Sequence, residues 1–273
     1  AETLRSTARE LREEEPGEAQ LRIRVLLRTG QLNKASRLLE ERLEDEQLKP
    51  VLRPRAHRET LLLLSLIRAF QGEAEEAYRC AVKATARGRD LGSPYVTAVG
   101  HMRQGHAWLL RDTVPAYEEA CQHYQEAIRL GNSLAVPRLK VEAFWGLCRA
   151  HGFEGEIPAA ERAAQQGIAI AEPAGDEWIA ALIRLSLSSA YVLAGQHDAA
   201  LQGLSQASTA FLECGDTFGE AVVRLWQCLA WQQGKDEARL TRGTNKLLRL
   251  ARQGGYDYLL KRQTLLGPPD VRR

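Results

Sequence analysis

A turn signal recurs about every forty residues along this chain, and few folds tolerate such a repeat. Six times in 273 residues an apolar helical segment runs into a short turn and then into an Ala-rich helical segment. The turns fall at Gly30, Gly72, Asp112, Gly155, Gly195 and Gly234, at intervals of 42, 40, 43, 40 and 39 residues. Self-similarity on this scale predicts stacked helix pairs, because one pair cannot bury its apolar face alone and must lean on its neighbours. The expected fold is all-α: a right-handed α-solenoid of about six antiparallel helix pairs. Such an array grows by stacking, so the length is read as one domain.

The punctuation supplies boundaries. Leu4, Ala8 and Leu11 stand at helical spacing before Pro16-Gly17, which predicts a lone N-terminal helix over 1–15. Repeats are expected over 18–54, 55–92, 93–132, 133–175, 176–215 and 216–255, with 256–273 a C-terminal cap and tail. Second helices end near Gly88 or Gly92, Gly131, Gly175, Gly215 and Gly254, where a left-handed cap favours a residue without Cβ. Gly267-Pro268-Pro269-Asp270 cannot continue a helix and reads as a linker or domain boundary.

Apolar residues make up 44% of the chain but aromatics only 6%, so Leu and Ala fill the core, as close helix packing requires. A net charge of +2 announces neither nucleic-acid binding nor disorder. The longest apolar run, Leu61 to Ile67, is far too short to span a bilayer. Cys80, Cys121, Cys148, Cys214 and Cys228 are odd in number and lack C-x-x-C spacing, so they are expected to be core residues in a reducing, cytoplasmic setting. The start at Ala1, without Met or a signal-peptide layout, suggests an excised or processed fragment of something larger.

The fifth unit carries a resemblance. Tyr191 lies four residues before Gly195, and Ala200 and Ala207 lie five and twelve after it. This pattern resembles a tetratricopeptide repeat, in which small residues let the second helix approach the first while the aromatic fills the space between. Ala77 and Ala84 match around Gly72, and Ala120 and Ala127 match in the third unit with Tyr124 between them. Units one and six depart, with Leu26 and Ala230 in the aromatic place and Arg42 and Lys246 in the last small one. The repeats also exceed the usual thirty-four residues, so HEAT-like pairs compete as a label, although the small-residue pattern favours the tetratricopeptide type. Degenerate, Arg-rich repeats ending in Leu247-Leu-Arg-Leu-Ala-Arg-Gln-Gly-Gly-Tyr256-Asp-Tyr-Leu-Leu260 are also similar to the repeat region of MalT-like and SARP (bacterial transcriptional activator domain) regulators. That resemblance implies a sensor and interaction module, with DNA bound only indirectly through a separate domain.

Catalytic signatures are missing. The chain has no G-x-x-x-x-G-K-[ST] phosphate loop, no G-x-S-x-G elbow and no H-E-x-x-H pair. His101 and His106 stand five apart, about 140° around a helix, and do not stack as a metal pair. No enzyme activity, cofactor or metal is expected. Glu13-Glu14-Glu15 and Glu44-Asp45-Glu46 lie beside basic residues and read as solvated faces.

Binding is the remaining expectation. First helices of a solenoid present one stripe to the concave side. Counted back from each turn, the stripe holds Arg24, Arg28, Phe70, Met102, His106, Glu142, Arg149, Arg224 and Trp231, with Arg149, Arg224 and Trp231 ranked first. Apolar residues with scattered Arg suit a peptide, a protein partner or a small effector. Residues 235–273 hold ten Lys or Arg against four acids, and Arg239, Arg242, Lys246 and Arg249 form a basic face able to meet nucleic acid, without interleaved aromatics. Capping of array ends by a second copy makes a homo-oligomer a further expectation.

Overall fold

The computed structural model describes residues 16–48, 56–111 and 113–269. Among the described residues, twelve α-helices stand in six antiparallel pairs: α1 (Pro16–Arg28) with α2 (Leu32–Leu48), α3 (Ala56–Phe70) with α4 (Ala74–Asp90), α5 (Pro94–Leu109) with α6 (Val114–Ser133), α7 (Pro137–Phe153) with α8 (Ile157–Ala171), α9 (Glu177–Leu193) with α10 (His197–Cys214), and α11 (Thr217–Gln233) with α12 (Glu237–Gly254). A single 3-10 turn, Asp257–Leu260, follows. The expected helix over 1–15, the turn residue Asp112, the end of the first link and the terminal Asp270, Arg272 and Arg273 lie outside the described residues.

Close approach within pairs follows from the small residues. Ala77, Ala84, Ala120, Ala127, Ala200 and Ala207 are all fully buried. Tyr124 is packed between Gly105 and Gly146, and a Cβ on Gly105 would lie 2.7 Å from its ring. First helices also pack on first helices, α3 on α5, α5 on α7, α7 on α9 and α9 on α11, which lines them up along the inside of the array.

Three expected glycine positions are displaced. The third pair runs past Gly131 to Ser133, and Ala135 takes the left-handed conformation (φ 51°). In the sixth turn Lys235 (φ 56°) takes it rather than Gly234, and after α12 it is Gly255 rather than Gly254. A non-glycine residue accepts this region at modest cost when the flanking helices fix the turn.

The array curves far enough to meet itself. Tyr256 Oη donates to Gly30 O at 2.7 Å, Arg28 pairs with Asp176 at 2.9 Å, and the first turn sits against Phe218. The chain then leaves the last pair and re-enters the centre. Thr264, Leu265 and Leu266 are each 1% exposed, and Gly267 and Pro268 are buried with them. Of the expected linker Gly267-Pro268-Pro269-Asp270, Gly267 and Pro268 therefore belong to an inner segment of the core. Proline and glycine forbid a helix there, as the sequence implies, but that prohibition fits a buried coil as well as a linker.

Candidate ligand channel

First helices enclose a channel with two halves. In the inner half, the last turns of α3, α5 and α7 together with α11 hold residues 263–268. Leu265 N–H donates to Ala69 O at 3.0 Å, Gln263 Nε2 to Leu109 O at 3.1 Å, and Trp226 Nε1 to Leu266 O at 2.8 Å. Arg149 Nη2 donates to Gly267 O. The segment closes a turn on itself, with Gly267 N–H bonded to Thr264 O at 3.1 Å and Thr264 Oγ1 at 3.0 Å. At its entrance Arg262 pairs with Glu73 at 3.4 Å. Gly72 (φ 77°) stands where any Cβ would overlap the Gln263 carbonyl, so the left-handed turn glycine also clears a path for this segment.

The outer half is a cavity of about 860 Å³. The N-terminal parts of α5, α7 and α9, the middle of α3 and the end of α1 line it, with an apolar wall that includes Leu66, Met102, Leu139 and Trp178. Arg24, Arg28, Arg103 and Arg138 stand on this wall against Glu142 and Asp176. Asp176 Oδ2 accepts from both Arg28 (2.9 Å) and Arg138 (3.0 Å), which ties α1 to α7 and α9 across the mouth.

A buried polar chain runs between the halves. Arg103 donates through Nε to Leu62 O (2.9 Å) and through Nη1 to Glu142, while His106 meets Glu142 at 3.1 Å and Tyr124 Oη at 2.7 Å. Burial raises the Glu142 carboxyl, but the Arg103 guanidinium and His106 outweigh it and hold the group at about 2. Burial pushes His106 below its ordinary value, so the imidazole is neutral at pH 7. Such a satisfied network fixes the relative rotation of α5, α6 and α7.

The sequence-derived stripe thus divides. Arg24, Arg28, Met102 and Glu142 line the open half, Arg149 faces the inner segment, and Phe70 and His106 lie behind the wall, Phe70 packed on Trp145 and Phe218. Arg224 and Trp231 are not in the channel. They form a separate pocket of about 260 Å³ with Arg239, Arg242 and Lys246, where the Arg224 guanidinium lies 5.8 Å from the Trp231 ring. The count back from Gly234 used the wrong anchor, since Lys235 is the left-handed residue, and one residue rotates a helix position by about 100°. The basic face accordingly does have an aromatic neighbour, brought from α11. Trp226, Gln263 and Leu265 were missed, the last two because no period marks a lone non-helical segment.

His101 turns away from His106 and meets His123 of α6, Nδ1 to Nδ1 at 3.0 Å. Among the described residues, Cys121, His151 and Glu154 place their ligand atoms within 4.8 Å of one another. Burial pushes the Cys121 thiol up to about 12, so it is protonated at neutral pH. The described cysteines are all unpaired, and no described helix is long and apolar enough to cross a membrane.

No family model matches the chain, and no curated protein resembles it at a significant level. Solved structures do. A Rap protein complexed with competence and sporulation factor is similar at TM-score 0.67 and 15% identity, over 89% of this chain and 66% of that one. BtubC (BKLC) from P. vanneervenii is similar at TM-score 0.55 and 15% identity, over 82% of this chain and 91% of that one. A signal transduction ATPase with numerous domains from Pyrococcus horikoshii, carrying a tetratricopeptide repeat sensor, is similar at TM-score 0.54 and 13% identity, over 91% of this chain and 38% of that one. The chain thus spans just under two thirds of the Rap protein and well under half of the ATPase. At these identities the likeness concerns the fold: this is a tetratricopeptide-like helical repeat domain.

Proposed function

We propose that this domain is a non-catalytic sensor and interaction module that binds a peptide, or a peptide-like segment of a protein, along its central channel. One observation carries the reading: the channel already holds a turn-forming segment of polypeptide through backbone hydrogen bonds to Ala69, Arg149 and Trp226. On the other side of the Arg103–Glu142–His106 chain, the outer cavity offers an apolar wall with arginines at its edge. The complex of the similar Rap protein with competence and sporulation factor and the tetratricopeptide repeat sensor of the similar ATPase point the same way. The likeness of the repeats to those of MalT-like and SARP regulators supports reading the module as part of a bacterial transcription factor in the cytoplasm, with DNA held by another domain.

The test is a selection of random dodecapeptides displayed on phage against the whole chain, followed by titration of the winners. Met102→Arg, which fills the cavity, is expected to weaken binding at least tenfold, and Lys246→Ala in the separate pocket beside Trp231 to leave it unchanged. Winners that bind both Met102→Arg and Arg149→Met as tightly as the unaltered chain, or no winners, would refute the channel as the site.

A second reading has its own observation. Arg224, Arg242 and Lys246 form no ion pair among the described residues and converge around Trp231. Cations gathered beside an indole suit the phosphates and bases of a nucleic acid, contacted through α12.

A further inference from the structure

The inner segment fills its half of the channel, yet one group there is left uncompensated. Arg149 is 1% exposed and has a single hydrogen bond, from Nη2 to Gly267 O. Its Nε and Nη1 have no partner. The Phe153 ring lies 4.4 Å from the guanidinium carbon, and no carboxylate among the described residues pairs with it. A guanidinium is a planar fork of five donors whose matching acceptor is a carboxylate taken by two nitrogens at once. Here it is offered one oxygen of a neutral amide, the bond that leads into Pro268. The rest of the segment is well received, with Leu265 and Leu266 buried, Leu265 N–H donating to Ala69 O and Leu266 O accepting from Trp226.

We propose that residues 263–267 are an intramolecular stand-in for a peptide ligand, and that the peptide displacing them presents an apolar Thr-Leu-Leu-Gly-like turn and ends in a carboxylate on Arg149. This rests on the peptide-binding reading of the channel and adds the chemistry of the ligand. A terminal carboxylate at the place of the Gly267 carbonyl keeps the bond to Nη2 and supplies a second oxygen for Nη1 or Nε. The tethered segment competes at an effective concentration of the order of millimolar, so a free peptide needs an interaction the tether lacks. The carboxylate is that interaction, because the tether cannot end at residue 267. Arg149 is held uncompensated by a weaker occupant and becomes paired only when the ligand arrives.

The probes are the hexapeptide Arg-Gln-Thr-Leu-Leu-Gly with a free C-terminal carboxylate and the same peptide as its C-terminal amide. Added to the full chain, the carboxylate form is expected to speed hydrogen exchange at the Leu265 and Gly267 amides at least tenfold, at concentrations at least tenfold below those the amide form needs. Arg149→Met is expected to abolish the difference between the two peptides. In Leu266→Asp, a carboxylate placed in the apolar site expels the segment, and the carboxylate peptide then binds at least tenfold tighter than to the unaltered chain. Equal potency of the two peptides, or no binding to Leu266→Asp at 1 mM, overturns the proposal. Loss of helical circular dichroism in Leu266→Asp also overturns it, since the segment would then be a fixed strut. A phage-selected peptide that binds with the Leu265 and Gly267 amides still protected sinks this proposal and leaves the peptide-binding reading standing.

Discussion

Replacing Arg149 by methionine should make the protein more stable. Burial pushes the guanidinium from its ordinary value down to about 9, and at 1.36 kcal/mol per unit the charged form loses about 5 kcal/mol on folding. Against this stand a charge-assisted hydrogen bond to Gly267 O and the contact with the Phe153 ring, together about 3 kcal/mol. Methionine has nearly the same length and no polar nitrogen, so Arg149→Met is expected to gain about 2 kcal/mol at pH 7, within the range found when buried charges give way to apolar groups. For a chain of this size that is about 4–8 °C in melting temperature. The assay is thermal unfolding followed by circular dichroism and calorimetry at pH 7, where the guanidinium is charged in both states. A variant less stable than the native sequence by 1 kcal/mol or more at pH 7 would refute the reasoning.

Gly146→Ala puts a methyl into the Tyr124 ring and is expected to cost about 1–3 kcal/mol in denaturant unfolding; adding Tyr124→Leu should recover part of it. Glu142, held at about 2, contributes stability that is complete above 4.5 and lost as pH falls towards 2, so Glu142→Gln should flatten the acid limb of the stability curve. The same change strands Arg103 and should cost about 3–5 kcal/mol at pH 7. If α12 meets nucleic acid, a labelled duplex binds at 20 mM salt with an affinity that falls steeply with added salt, and removing Arg242 and Lys246 together lowers the salt slope by about 2. No anisotropy change at that salt ends the reading.

The repeat fold was legible because its physics is local. A turn glycine such as Gly195 and small residues such as Ala200 and Ala207 act within one helix pair, so spacing alone exposes them. The left-handed Ala135 and Lys235 were not legible, since the flanking helices impose that conformation against residue preference. Part of the channel wall, Arg24, Arg28, Met102 and Glu142, followed from the helical period. The inner segment did not. Leu265-Leu266 is too short a run to carry a period, and its burial depends on Ala69, Leu109, Arg149 and Trp226, which lie 40 to 196 residues away. The neighbourhood of Arg224 and Trp231 failed for a smaller reason, an anchor one residue out.

The bond from Tyr256 to Gly30 spans 226 residues, and it changes what kind of polymer this is. An open array behaves as a one-dimensional chain of neighbours, folding from any point and tolerating loss of a unit. Joining its ends costs about 5 kcal/mol of loop entropy for that span, recovered only once all six pairs are in place. Contact order rises, folding slows and the pairs melt together rather than fraying from the termini. Deleting one pair from the middle would then cost more than the lost contacts, because the two ends would no longer meet.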